Sequence, residues 1–108
     1  MPWLLRDEEV LASLEVATSM ADRSRGLLGR DGVEGAMLLR PARSVHTLGM
    51  RFDLDVAFCD AGMVVLDTVT MRRWRLGLPR WHARCVLEAE AGAFERWRLR
   101  RGDRLEVR

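Results

Sequence analysis

The stretch that most constrains the fold is LDVAFCDAGMVVLDTV, residues 54–69. Two runs rich in β-branched and apolar residues flank Ala61-Gly62, and that spacing predicts a β-hairpin. In the first arm Leu54, Val56 and Phe58 share one face, while Asp55, Ala57 and Cys59 share the other. The face of Leu54, Val56 and Phe58 is read as core.

The same reading extends along the chain. WLLRDEEVLASLEVA predicts a second hairpin, turning at Arg6 to Glu9, with Val10, Ala12, Leu14 and Val16 as the apolar positions of its second arm. AMLLR (36–40) predicts a short strand that Pro41 ends. RCVLEAE (84–90) predicts another, and RLEV (104–107) a last one after a turn at Gly102-Asp103. A helix is expected over 19–29. Thr18 or Ser19 would cap it, Asp22 would sit near its positive end, and Met20, Leu27 and Leu28 would form its apolar stripe. Gly29 would be the stop and Gly26 a packing position. A shorter helix is expected over 92–98, with Phe94 and Trp97 on one face. The fold class is therefore mainly β (α+β): a small antiparallel barrel or sandwich with one or two short helices, in a single domain spanning 1–108.

A chain of 108 residues can bury a core without staples. All 18 basic residues are Arg, and they are unevenly placed. Residues 1–70 hold 7 Arg and 11 acids, a charge of −4, whereas residues 71–108 hold 11 Arg and 5 acids, a charge of +6. No segment is apolar enough to span a bilayer, and MPWLLRDEEV lacks the pattern of a secretory signal. Cys59 and Cys85 do not make a disulfide-dense scaffold, so the expectation is a cytoplasmic protein with two reduced thiols.

RSRGLLGR, GAMLLR, HTLGMRFDLDVAFCDAGMVV, VLEAEAG and RRGDRLEV, in that order, resemble the family called domain of unknown function 192. The likeness covers roughly residues 14–108. It implies a mostly β domain with short helices, and it implies no established reaction or cofactor. Many members of that family carry an N-terminal export or anchor segment, which is not visible here. Met50 matches a methionine of the family's run before the central strand. Arg51 and Phe52 replace the polar pair usual after it, and Asp53 stands where a proline is common.

Candidate chemistry gathers in two places. In residues 43–55, His46 and Asp55 are the catalytic candidates: a histidine that titrates near neutrality, oriented by a carboxylate, with Arg43 or Arg51 alongside. The structural alternative is that Asp55 pairs with an Arg or accepts backbone N–H bonds. In residues 71–84, Arg72, Arg73, Arg75, Arg80 and Arg84 alternate with Trp74 and Trp81. Guanidinium forks beside indole faces suit phosphates and carboxylates. The alternative there is a surface loop whose indoles lid the barrel. Arg43, His46, Arg51, Arg72, Arg73, Trp74 and Trp81 are thus the expected ligand-binding set. Nucleic acid is disfavoured by the weak net charge of +2 and the lack of a binding signature. His46, Cys59, His82 and Cys85 have the donor types for zinc but not the paired spacing, so no metal or cofactor is expected. The function expected is a binding or accessory domain for a small anionic ligand or an acidic protein. An enzyme acting on a small anionic substrate through His46 and Asp55 is the alternative.

Overall fold

The computed structural model describes residues 2–108. The chain runs β1 (Trp3–Arg6), β2 (Glu9–Ala17), α1 (Met20–Arg25), β3 (Ala36–Leu39), β4 (Leu54–Cys59), β5 (Val65–Met71), β6 (Cys85–Glu90), α2 (Ala93–Trp97) and β7 (Glu106–Val107). The strands form one sheet in the order β5-β4-β6-β3-β2-β1-β7. Every pair is antiparallel except β2 and β3. Those two are joined by α1 and residues 26–35, the kind of crossover a parallel pair requires. The long β2 is shared, pairing β1 through its first half and β3 through Leu14 to Ala17.

The mainly β expectation holds, but barrel or sandwich describes the sheet only loosely. It curls until its two ends nearly meet, with Val65 N–H donating to Asp103 O (2.8 Å) and Leu105 N–H to Met63 O (2.9 Å). Only one isolated bridge, Val64 to Arg104, joins those edges among the described residues, so the sheet stays open and mixed.

Two cores lie on the two faces. Leu54, Val56 and Phe58 of β4 pack with Leu27, Leu39, Met50 and Val86. On the other face Ala57 and Cys59 pack with Leu4, Leu14, Leu87 and Phe94. All six residues of β4 are therefore buried, as befits a strand that has β5 on one side and β6 on the other. The 54–69 hairpin forms as expected. Asp60 Oδ1 accepts from Gly62 N–H and Val64 N–H, and Met63 takes a positive φ of 65°, so β5 starts at Val65 rather than at residue 63.

Other boundaries move. α1 ends at Arg25, not near residue 29, because Gly26 (φ 50°) is its C-cap and sends the chain away. Ser19 is its N-cap, with its hydroxyl accepting from Asp22 N–H. Met20 is exposed, while Leu27 is buried from the irregular segment after the helix. In β2, Val10 and Val16 are exposed and Ala17 is buried, because the strand changes partner midway and its alternation slips there. Phe94 and Trp97 do share a face of α2, with ring centroids 5.7 Å apart. Among the described residues no helix is long and apolar enough to cross a membrane.

Candidate functional site

Asp55 lies on the face of β4 opposite Phe58, as the alternation requires, and all its hydrogen bonds are internal. Its Oδ2 accepts from Gly92 N–H (2.9 Å) and Phe94 N–H (3.1 Å), and its Oδ1 from the Thr70 hydroxyl (2.8 Å). The carboxylate thus satisfies the orphan donors at the start of α2, where Gly92 brings no side chain of its own. His46 is exposed beside the other core, and its Nδ1 accepts from Leu48 N–H. The fold does not bring His46 and Asp55 together.

It does bring the two predicted stretches together. Residues 43–47 run beside the 72–80 loop: Thr47 N–H donates to Arg75 O, Trp74 N–H to Thr47 O, Gly77 N–H to Val45 O and Arg80 N–H to Arg43 O. An isolated bridge pairs His46 with Leu76. Thr47, which the sequence reading did not single out, is the pin. It is fully buried, its hydroxyl donates to Arg72 O, and it accepts from Arg75 N–H (2.8 Å). Arg80 anchors the far end, paired with Asp67 (2.9 Å) and stacked 4.4 Å from the Phe58 ring centre. Trp74 and Trp81 do not lid the sheet; both stand mostly in water. Arg51 pairs with Asp31, and Arg73 with Asp53.

Beside this lattice a cleft of about 250 Å³ opens between the end of α1, residues 44–50 and β3. Its walls are apolar at Leu27, Leu28, Leu39, Leu48 and Met50 and polar at Arg23, Arg25, Ser44 and His46. Glu88 of β6 lines it from within the sheet, only 4% exposed, and among the described residues no group hydrogen-bonds its Oε1. A buried acceptor left unmet is rare and costly. With nothing to stabilise its charge, burial pushes the Glu88 carboxyl up to about 7. Gly26 leaves room for it, since a Cβ there would stand 3.3 Å from Oε1. At the rim Arg23 is fixed by donating to Pro41 O (2.8 Å) and Ser19 O, whereas Arg25 has no acidic partner among the described residues. Of the expected ligand-binding set only His46 lines the cleft. Arg43, Arg51, Arg72, Arg73, Trp74 and Trp81 lie outside its wall.

The four zinc-type donors do not converge. Cys59 and Cys85 face each other across the β4–β6 ladder inside a core, and both histidines are at the surface. Cys85 Sγ donates to Met63 Sδ (3.5 Å) and Asp60 O (3.9 Å). The two neighbouring thiols divide: Cys59 lowers Cys85, with help from the Arg40 charge, while Cys85 and burial raise Cys59.

A family model described as Uncharacterized ACR, domain of unknown function 192, matches residues 4–107. The chain belongs to this family. Its relatives include a UPF0127 protein of Thermococcus gammatolerans, 32% identical over 83% of this chain and 63% of that protein. Another is a UPF0127 protein of Pyrococcus furiosus, 28% identical over 94% of this chain and 91% of that protein. The chain thus spans less than two thirds of the Thermococcus protein's length but nearly all of the Pyrococcus one. Two crystal structures share the fold. A protein of unknown function from Novosphingobium aromaticivorans superposes with a TM-score of 0.83 at 21% identity, over 97% of this chain and 83% of that one. A Sinorhizobium meliloti protein described as a candidate transcription regulator gives 0.82 at 19%, over 98% and 91%. At such identities the likeness speaks of fold alone.

Proposed function

We propose that this domain of unknown function 192 protein is a binding or accessory domain whose cleft holds a small anionic molecule. One observation carries the reading: a buried carboxyl without a hydrogen-bond partner lines a cleft that has Arg23 and Arg25 at its rim. Guanidinium groups recognise carboxylate and phosphate oxygens. A neutral carboxyl beneath them can donate its O–H to the same anion and so satisfy the oxygen that the fold leaves unmet. The apolar walls would take a short hydrocarbon part. Once Glu88 ionises it repels the anion, so binding should weaken as pH rises past the value of about 7 that burial gives it. The histidine and the Arg–Trp loop then serve as the cleft's border, joined to it through the His46–Leu76 bridge.

The test is amide NMR of the chain titrated with inorganic phosphate and with succinate at about pH 6 and about pH 8. Shifts are expected at Gly26, Ser44, His46 and Leu48, weaker at the higher pH, and about tenfold weaker for Arg25→Gln. No shift at these amides with either anion, or equal affinity at both pH values, would remove the basis for the reading.

A further inference from the structure

Four large apolar side chains stand in water on one short loop: Trp74 (63% exposed), Leu76 (77%), Leu78 (77%) and Trp81 (72%). Isolated exposed apolar residues are ordinary, but a cluster of this kind marks an interaction site. The backbone under them is held by Arg43, Val45 and Thr47, so they project from a fixed base. Between Asp67 and Glu88 the sequence contains no acid. Arg73 and Arg80 are paired with Asp53 and Asp67. Arg72, Arg75 and Arg84, with Arg43 alongside, are exposed and have no acidic partner among the described residues, although Arg75 and Arg84 each donate to carbonyls of the loop itself.

We infer that this loop is a docking tip for an anionic lipid surface. Indole rings and leucines settle at the boundary between headgroups and acyl chains, and cations beside them are drawn to an anionic leaflet. Charge complementarity decides the occupant: an apolar tip whose neighbouring exposed arginines have no acid to neutralise them fits an anionic bilayer better than a neutral one. The contact lies on the membrane and does not cross it. The inference is independent of what the cleft binds, because none of the four apolar residues lines the cleft.

The experiment is co-sedimentation of the whole chain with vesicles of phosphatidylcholine alone and of equal parts phosphatidylcholine and phosphatidylserine. Binding is expected to the anionic vesicles and to be weak on the neutral ones. Leu76→Ser with Leu78→Ser should lower anionic-vesicle partition at least ~tenfold. Arg72→Gln with Arg75→Gln should lower it about tenfold and flatten its salt dependence. All four positions are exposed, so the variants are expected to keep the wild-type melting midpoint. Wild-type indole emission should also shift to the blue with anionic vesicles, and Trp74→Phe with Trp81→Phe should lose that shift. No partition, equal partition into both compositions, or unchanged binding by the leucine variant would overturn the inference. Self-association that the leucine pair abolishes, with no vesicle binding, would overturn it in favour of a second copy of the chain.

Discussion

Glu88 couples the folded state to pH in the direction opposite to most carboxylates. Its ordinary value is 4.5, and burial raises it to about 7. Between these two values the folded chain binds more protons than the unfolded one, so stability is fully present below about 4.5 and falls as pH climbs to about 7. The whole effect is on the order of 3 kcal/mol. Glu15 works the other way, because its hydrogen bond to Arg30 lowers it, and its contribution is lost as pH falls. Comparing Glu88→Gln with wild type isolates the first effect. The variant should lose this decline and be more stable than wild type above pH 7 by about 1–3 kcal/mol in urea denaturation. Parallel pH–stability curves for the two proteins would contradict the assignment. The sequence disguised this residue. In RCVLEAE, Val86, Glu88 and Glu90 alternate on one face, and a pair of glutamates reads as solvated. Glu90 is indeed exposed, but Glu88 lies between β3 and β4 under the residues that follow α1. That burial depends on tertiary cover, which period-two alternation does not contain.

The elements show where local pattern suffices. β4, its hairpin to β5 and α2 were legible because alternation, a turn marked by Ala61-Gly62 and an i, i+3 aromatic pair are local signals, although the connection itself takes residues 60–64. The role of Asp55 was legible only as an alternative, since its donors Gly92 and Phe94 arrive from far along the chain. The cut of α1 at Gly26 was missed because Gly26 and Gly29 are equivalent as stop signals; the backbone follows the one that clears Glu88. Thr47 carried no signal at all, because its loop partners, Arg72, Trp74 and Arg75, lie outside any regular ladder. Gly77 tests this strand-like pairing. A Cβ there would run into the Val45 carbonyl oxygen and press on Met71 Cε at 3.2 Å. Gly77→Ala should therefore destabilise by about 1–3 kcal/mol and speed amide exchange at Trp74 and Gly77's own neighbours. A wild-type midpoint together with unchanged exchange at Trp74 would show that the loop is not seated on residues 43–47.

At the scale of the molecule, one curled sheet separates two cores, and function is expected where its cover is thin. Composition and turn spacing conveyed a mainly β chain, because each strand reports its own period. They did not convey the parallel β2–β3 pair or the open edge. Strand order is set by which faces bury each other, and the crossover through α1 has no local mark. The charge asymmetry did anticipate the cationic loop, but not that its indoles and leucines would face water together. A carbon-13 titration of the Glu88 side-chain carboxyl, with and without inorganic phosphate, tests together its burial without a partner at Oε1 and the proposed binding of an anion in the cleft it lines. The expected result is a midpoint of about 7 that moves upward when phosphate is present. A midpoint near 4.5 that phosphate leaves unmoved would contradict it.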